Sequence, residues 1–509
     1  MNTTIAYGLM LTTLGFFGYI GYQVTTGKKL DSDEYLSARG SQDWIRIGLS
    51  LFASGMGVWL LFGPSEVAYY GGFFDVMGYA LSASIPFILL AYLGPYIRNS
   101  LPTGITLADF VRLKIGREMQ IYVGIISIIY MFTFLFAEFT AIGRAIEFLT
   151  GINALIPIIL VALVTAGYTT LGGLPASIRT DKFQAWFILW LFVVLILTFI
   201  GDTKQLITDA VAFTPEDLEW DWEHGSISSF TMASFLSGLT LIIAITSAEM
   251  FSQGNWQRAY ASEDDNALNK GALLAAGLVF PLVFLMGFLG SASAGKGALN
   301  DPSLAFFSLI SDFSPLILSF FIVLVIALVC SSADTLQNAI VASISRDLSD
   351  NKLNLKQSRY IAIALVPLAI FMSWYMADKA ASVFAIFLFA DLLATATVLP
   401  IFLTLSDKIN SDAALSGAVG GLVSVFLYGW LNPLIDASGP LYSLFPDRIA
   451  TGFHYIFKPL TEDGLANFNV FLTALISSLI ITLVASMMFE EEKEPPQQVV
   501  IGDVKPEEE

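Results

Sequence analysis

The sequence predicts an all-α polytopic membrane protein with about 13 transmembrane helices. Of its 509 residues, 55% are hydrophobic and only 13% are charged, whereas soluble globular chains contain roughly 25% charged residues. A helix of roughly 20 apolar residues crosses a bilayer core about 30 Å thick, and apolar runs of this length recur along the whole chain. These two observations place the protein in a membrane.

Thirteen apolar runs are long enough to cross the bilayer. The predicted spans are residues 4–22, 45–72, 74–97, 119–147, 153–171, 183–201, 229–252, 270–293, 314–346, 357–377, 380–405, 411–431 and 468–489. Basic residues are enriched in cytoplasmic loops. With the N-terminus outside and the C-terminus inside, all but six of the 25 Lys and Arg residues fall on the inner side. The six exceptions are Arg144, Lys204, Lys296, Lys379, Arg448 and Lys458. This distribution predicts that orientation.

The net charge of −18 is concentrated outside the spans. Residues 490–509 predict a disordered acidic cytoplasmic tail, and the outer loop 202–228 is acidic as well, because such compositions cannot bury apolar area. We interpret both segments as solvated surface. The first span lacks a small-residue cleavage site, so we expect it to remain as a helix.

Several kinds of chemistry are not expected. The single cysteine, Cys330, excludes an intramolecular disulfide framework, and the two histidines, His224 and His454, both fall in outer loops. A zinc site or a histidine-based catalytic centre is therefore not predicted. No GxxxxGK[ST] phosphate loop is present, so nothing indicates ATP as the energy source. We expect neither an enzyme nor a bound organic cofactor.

The second span contains features that interrupt a helix. It carries Gly55, Gly57 and Gly63, then Pro64 and the charged Glu66. Each glycine lowers helix stability by about 1 kcal/mol relative to alanine, and a Gly-Pro pair can break the hydrogen-bond ladder. Backbone freed inside a bilayer has to line a cavity or coordinate something. The alternative is that the small residues only allow close helix packing.

The ninth span concentrates polar side chains where hydrocarbon is expected. Ser331 and Ser332 are adjacent, and Asp334 follows one helical turn after Ser331. Hydroxyl and carbonyl oxygens bind hard cations such as sodium, although serine hydroxyls can also bond to a carbonyl one turn back. An ionisable residue at this depth indicates an ion or proton path.

Five acidic residues lie three or more residues inside the ends of predicted spans, while no Lys or Arg lies in the middle of one. The acids are Glu66, Glu138, Glu249, Asp334 and Asp391. Buried carboxylates without cationic side chains need a metal ion, a proton or a positively charged substrate as partner. The pattern predicts cation coupling and argues against a strongly anionic solute, unless helix N-termini hold its negative charge.

The segment GGLPASIRTDKFQ, from Gly172 to Gln184, resembles the signature of the sodium:solute symporter family. Supporting matches are DEYLSARGS at 33–41, TLADF at 106–110 and QRAYASEDDNALNKG at 257–271. The resemblance implies a five-plus-five inverted-repeat core of the LeuT type. The expected organisation is a first helix and inner loop at 1–44, a transport core at 45–405, additional C-terminal helices at 406–489 and the tail at 490–509.

The resemblance also implies sites. Sodium would be bound by the carbonyls of Ala53, Met56 and Leu328 and the hydroxyls of Ser331 and Ser332. Asp181 and Asp334 would serve a second cation or the coupling, with ion-pair or capping roles as the alternatives. Proline-transporting members have Asp where this chain has Gly55 and Ser where it has Gly57, which argues against proline. Implied substrate contacts are Trp59, Glu66, Glu138, Glu249, Gln253 and Asp391. For Glu66 and Glu138, a protonated core acid is the alternative.

The expected function is therefore import of a small neutral, zwitterionic or amine-bearing solute by symport with Na+, across the cell membrane. A proton-coupled or facilitative carrier of the same fold is the alternative. The expected partners are the solute, Na+ and the lipid bilayer, with no nucleic acid, and the chain is expected to be a monomer.

Overall fold

The computed structural model describes residues 2–25, 30–212, 225–297, 299–350, 352–379, 381–406, 408–434, 440–461 and 464–488. These residues are nearly all helical, and within these ranges the only β contacts are two isolated bridges, Gln42 with Ser262 and Leu460 with Ala466. The predicted all-α class is confirmed. The predicted tail at 490–509 and His224 lie outside the described residues.

The described helices divide into two sets along the chain. Those of the first set are α1 (Thr3–Tyr22), α2 (Ser32–Ser37), α3 (Trp44–Gly55), α4 (Trp59–Tyr70), α5 (Phe73–Ser100), α6 (Leu107–Ile115), α7 (Arg117–Thr150), α8 (Leu155–Phe199) and α9 (Thr203–Val211). Those of the second are α10 (Met232–Phe251), α11 (Gln253–Ala261), α12 (Asp265–Lys296), α13 (Ala305–Ile310), α14 (Pro315–Ala342), α15 (Leu355–Asp378), α16 (Val383–Leu403), α17 (Ser411–Leu431), α18 (Pro440–Leu444), α19 (Asp447–Phe457) and α20 (Phe468–Met488).

Eleven helical segments in the described ranges are long and apolar enough to cross a bilayer, or twelve when the bent pair α3 and α4 is included as one span. One of the eleven, Leu155–Val211, contains both of the predicted spans 153–171 and 183–201, because helix α8 continues through a kink at Gly173. The number of crossings and the orientation of the termini stay predictions.

The second predicted span is interrupted, as its glycines indicated. Helix α3 ends at Gly55, α4 begins at Trp59, and their axes meet at 55°. Met56 leaves the helical region with φ −102° and ψ 89°. The interruption is thus at Met56 and not at the Gly63–Pro64 pair, since Pro64 lies inside α4, where it removes a single N–H from the helical ladder.

A second interruption separates α10 from α11. Ser252 has φ −64° and ψ 101°, and the chain resumes a helix at Gln253. Each of the two sets of helices therefore contains one broken helix, α3–α4 in the first and α10–α11 in the second. Inside a bilayer such breaks expose backbone polar groups, which must find partners within the protein.

Ion pairs connect helices at both ends of the polar interior. At the predicted cytoplasmic end, Arg112 of α6 pairs with Asp350, and its hydrogen bond is the main reason that the pKa of Asp350 is below the usual range. At the opposite end, Arg144 of α7 contacts Asp301 and donates to the carbonyl oxygen of Ala381 at 2.8 Å. These contacts join segments that are far apart in the sequence.

The kink in α8 depends on a glycine. Gly173 has φ 56° and ψ −148°, a backbone conformation that L side chains rarely adopt. A Cβ atom at this position would lie 2.3 Å from the carbonyl oxygen of Tyr35 in α2. Only glycine therefore lets α8 bend while α2 packs against the bend.

We expect Gly173→Ala to lower the unfolding temperature of the detergent-purified protein. The backbone conformation alone costs about 1–3 kcal/mol for a non-glycine residue, and the contact with Tyr35 adds to this. Gly167→Ala is the matched control, because Gly167 lies in the same helix and a Cβ there has no neighbour within 4 Å. Equal unfolding temperatures for the two variants would contradict the explanation.

Candidate functional site

A buried carboxylate meets the break between α3 and α4. Glu138 of α7 is fully buried. Its Oε2 accepts the backbone N–H of Val58 at 2.7 Å, and its Oε1 accepts that of Trp59 at 3.2 Å. Val58 is the N-cap residue of α4 and has no polar side chain with which to cap the helix. Glu138 therefore supplies acceptors for N–H groups that a helix N-terminus leaves unpaired.

The predicted sodium ligands on α3 lie directly beside this break. Ala53 is in the last turn of α3, and its carbonyl oxygen accepts the N–H of Met56 at 3.1 Å. Both residues are buried. Helix α14, which carries the other predicted ligands, is in contact with α3.

The predicted ligands on α14 reach two carboxylates. The Ser332 hydroxyl lies 2.9 Å from Glu138 Oε2 and 3.2 Å from the carbonyl oxygen of Leu328. The Ser331 hydroxyl donates to Asp181 Oδ1 at 2.6 Å. The structure brings the ligand-bearing turn of α14 between Glu138 of α7 and Asp181 of α8.

Asp181 forms a fully buried ion pair. The Arg258 guanidinium of α11 donates to Asp181 Oδ2 at 2.7 Å, and both side chains are 0% exposed. Asp181 Oδ2 also accepts the hydroxyl of Ser50 at 2.5 Å. Arg258 in turn donates to Ser50 Oγ at 2.7 Å and to Thr335 Oγ1 at 2.6 Å. One network thus joins α3, α8, α11 and α14.

Asp334 lies beside this network without an ion pair among the described residues. Its Oδ2 accepts the hydroxyls of Tyr168 at 2.6 Å and Thr180 at 3.1 Å, and its Oδ1 accepts that of Ser177 at 2.6 Å. Arg258 also reaches Ser177 Oγ at 3.3 Å. The cluster contains two carboxylates, Asp181 and Asp334, and one guanidinium.

Arg258 corrects one premise of the sequence argument. The positive-inside assignment placed Arg258 in an inner loop, and an ion pair was the alternative role expected for Asp181. The residue is instead fully buried against Asp181, because the short polar helix α11, which follows the break at Ser252, is buried along its length. For Asp181 a cation partner is therefore already present in the protein.

A small cavity lies beside the break. Its volume is about 20 Å³, and its lining includes Trp59, Tyr130, Glu138, Glu249 and Ser332. Small-molecule sites measure several hundred Å³, whereas about 20 Å³ admits one water molecule or two. In this conformation the side chains that line the cavity pack against one another and leave no room for an organic solute.

Glu249 is the second acid of the cavity lining. It lies in the last turn of α10, just before the break at Ser252. Tyr130 donates its hydroxyl to Glu249 Oε1 at 3.3 Å, and Asn255 donates its amide to Oε2 at 3.0 Å. Two carboxylates therefore line the same cavity, Glu138 of α7, which caps the start of α4, and Glu249 of the broken helix α10.

The remaining predicted substrate contacts, Asp391, Glu66 and Gln253, are not among the residues that line the cavity. Asp391 of α16 is 2% exposed, its Oδ1 has no hydrogen-bond partner, and it interacts electrostatically with Glu249. Glu66 of α4 is buried near Arg144. Gln253 uses its amide group to bond Ser127 and the N–H of Leu107, at 2.8 Å each.

Trp59 is the first residue of α4, and its indole N–H donates to the carbonyl oxygen of Gly55 at 3.2 Å. Its ring stacks on Tyr79 with ring centroids 5.8 Å apart.

Sequence reasoning missed Arg258, Tyr130 and Asn255 as site residues. For Arg258 and Asn255 a signal was available, since both lie in a polar segment directly after an apolar span.

Two solved structures share this architecture. A Na+-coupled sialic acid symporter in an outward-open state matches with a TM-score of 0.66 at 15% identity, over 96% of this chain and 98% of its own. Mhp1, a nucleobase-cation-symport-1 family transporter in a closed conformation, matches with a TM-score of 0.52 at 14% identity, over 90% and 95%. These likenesses confirm the predicted LeuT-type fold.

The sequence comparisons agree. The family model described as "SSF: Sodium:solute symporter family" matches residues 35–421. A spermidine transporter of Candida albicans is 30% identical over 437 residues, which is 84% of this chain and 79% of that protein. Sodium/proline symporter 2 of Staphylococcus saprophyticus is 21% identical over 482 residues, 88% of this chain and 91% of that protein. The chain belongs to the sodium:solute symporter family, and is therefore a multi-pass cell-membrane transporter that couples solute movement to Na+, not an enzyme.

Proposed function

We propose that this protein imports a small amine-bearing solute by symport with Na+. The observation that carries the proposal is the pair of buried carboxylates formed by Glu249 and Asp391. In the part of the chain that the structure describes, neither forms an ion pair, and Asp391 Oδ1 has no hydrogen-bond partner. A buried charge without a partner is unfavourable, so a cationic group arriving with the solute would stabilise both carboxylates.

Aromatic residues lie near the same carboxylates: the Tyr130 hydroxyl donates to Glu249 at 3.3 Å, and Tyr130 and Tyr79 interact electrostatically with Asp391. Tyr130 lies 4.5 Å from Phe134, and Phe134 lies 4.3 Å from Phe387, measured between ring centroids. Trp59 and Tyr79 form a stacked pair nearby. Aromatic faces attract ammonium groups by about 0.5–2 kcal/mol, more when water is excluded. Carboxylates with aromatic faces are the combination that recognises organic amines.

The comparison with known proteins supports the same solute class. The relative from Candida albicans, which aligns with 84% of this chain, is named as a spermidine transporter. Spermidine is a linear chain with several amino groups and no carboxylate. We therefore use spermidine as the probe for function.

The proposed sodium ligands are the carbonyl oxygens of Ala53, Met56 and Leu328 and the hydroxyls of Ser331 and Ser332. Oxygen ligands of this kind suit a hard cation. The two hydroxyls are hydrogen-bonded to Asp181 and Glu138; Asp181 is already paired with Arg258, whereas Glu138 forms no ion pair among the described residues. We further propose that Asp181 and Asp334 transmit sodium binding to the rest of the core, since their network links α14 with α3, α8 and α11.

The direct test is uptake of radiolabelled spermidine into proteoliposomes. We expect uptake with an inward Na+ gradient and its collapse when K+ replaces Na+ at constant ionic strength. Uptake that follows a pH gradient and ignores Na+ would instead indicate a proton-coupled carrier. Absence of amine uptake, together with Na+-driven uptake of a sugar or an amino acid, would refute the proposed solute class alone.

We expect Ser332→Ala to raise the Na+ concentration for half-maximal uptake about tenfold, since the loss of one oxygen ligand costs roughly 1–1.5 kcal/mol. The measurement is uptake against Na+ concentration at saturating spermidine. Ser424→Ala is the matched control, because the Ser424 hydroxyl of α17 bonds only the Gly420 carbonyl one turn earlier, at 2.8 Å. An unchanged sodium dependence in Ser332→Ala would contradict the ligand assignment.

We expect Asp391→Asn and Glu249→Gln each to raise the KM for spermidine by roughly 10- to 100-fold, because a hydrogen bond to a charged group contributes about 1.5–3 kcal/mol. The Na+ concentration for half-maximal uptake should change far less. Asp412→Asn, in the first turn of α17 and exposed, serves as the control. A KM equal to that of the control would show that the two acids do not bind the amine.

A further inference from the structure

The N-terminus of α4 is a natural anion-binding position that the protein fills itself. A helix N-terminus presents unpaired N–H groups and a partial positive charge. In transporters with broken helices, such N-termini point at the anionic groups of substrates. Here the Glu138 side chain holds this position, with one oxygen on the N–H of Val58 and the other on that of Trp59, at 2.7 and 3.2 Å.

The fit between Glu138 and the break is close and depends on Gly57. A Cβ atom on residue 57 would lie 2.2 Å from Glu138 Oε1 and 2.5 Å from its carboxyl carbon. No side chain larger than hydrogen is compatible with this approach. Glu138 also lines the cavity beside Glu249, so its carboxylate lies at the proposed amine site and is not simply core packing away from it.

We infer that Glu138 takes the place of a substrate carboxylate and thereby restricts the transporter to amines that lack one. This inference rests on the proposed function and specifies its substrate class. An amino acid entering the site would bring its carboxylate to N–H groups that are already bonded, next to the negative charges of Glu138 and Glu249. A decarboxylated amine brings only its ammonium groups, which both carboxylates attract.

The guanidinium and the amide nearest the cavity are already engaged. Arg258 is paired with Asp181 and also donates to Thr335, and the Asn255 amide donates to Glu249. A substrate carboxylate would therefore lose water without gaining a cationic partner. Burial of an unpaired charge costs several kcal/mol, which corresponds to a discrimination of roughly 100-fold or more, at about 1.4 kcal/mol for each tenfold change.

The test uses pairs of solutes that differ only by a carboxylate. 1,4-Diaminobutane is ornithine without its carboxylate, and 1,5-diaminopentane is lysine without its carboxylate. In proteoliposomes with an inward Na+ gradient, we expect the wild-type protein to transport each diamine with a kcat/KM roughly 100-fold or more above that of the matching amino acid. Comparable values for the two members of a pair would overturn the inference, even if amine uptake is Na+-driven and the proposed function holds.

Variants of Glu138 test whether its side chain selects the solute or only caps α4. Glu138→Ala exposes the N–H groups of Val58 and Trp59 and opens space for a substrate carboxylate. We therefore expect ornithine uptake to rise, so that the ratio of kcat/KM for 1,4-diaminobutane to kcat/KM for ornithine falls at least tenfold. Glu138→Gln keeps an acceptor oxygen for only one of the two N–H groups and removes the charge, so the ratio of diamine to amino acid uptake should narrow less than in Glu138→Ala. A folded Glu138→Ala protein with the wild-type ratio would show that the residue only caps α4, and would also overturn the inference.

Gly57→Ser provides a second route if Glu138→Ala fails to fold. The new side chain collides with Glu138 Oε1 and pushes the carboxylate off the helix, while the buried acid itself is retained. The ratio of diamine to amino acid uptake should again narrow, whereas Gly167→Ala, with no neighbour within 4 Å of its added Cβ, should leave it at the wild-type value. A wild-type ratio in Gly57→Ser contradicts the inference.

Loss of Na+ dependence for every solute, with the diamine preference intact, would have a different meaning. It would refute the sodium-coupled function while leaving the role of Glu138 in selecting the solute in place. The two proposals therefore fail in distinguishable ways.

Discussion

The centre of this protein is organised by the need to satisfy backbone groups freed by the break at Met56. Inside a bilayer no water is available to bond them, so each one left unpaired costs several kcal/mol. Glu138 meets this requirement from another helix, and through the Ser332 hydroxyl it connects the same point to α14. The start of α4, the middle of α7 and the polar turn of α14 are thereby held together at one carboxylate.

A second buried centre is built around Arg258. A buried ion pair adds little net stability, but removal of one partner is costly because the other charge remains. Asp181 and Arg258 share hydrogen bonds with Ser50 and Thr335, so helices α3, α8, α11 and α14 meet there with their polar groups paired. A change of position in any of these helices has to rearrange bonds that the others use.

Much of the fold could be predicted from the sequence, because apolar runs of bilayer length and interrupted helices depend on local composition. The exact break could not, since it lies where Glu138, 80 residues away, supplies the helix cap. The Asp181–Arg258 pair was missed for the same reason, as its members are 77 residues apart and become neighbours only through tertiary packing. The family resemblance implied sodium ligands at Ala53, Ser331 and Ser332, and these residues lie in one region of the structure. It implied a substrate contact at Gln253, whose amide group here joins α11 to α6 and α7.

The absence of a side chain at Gly57 has a consequence for the history of this chain. Because any Cβ there would lie 2.2 Å from Glu138 Oε1, the glutamate can keep its bonds to the start of α4 only with glycine at position 57. A relative whose helix start is bonded by a glutamate at the matching position is therefore expected to keep glycine at the other. A larger residue in place of Gly57 then marks a transporter in which no such glutamate holds the helix start.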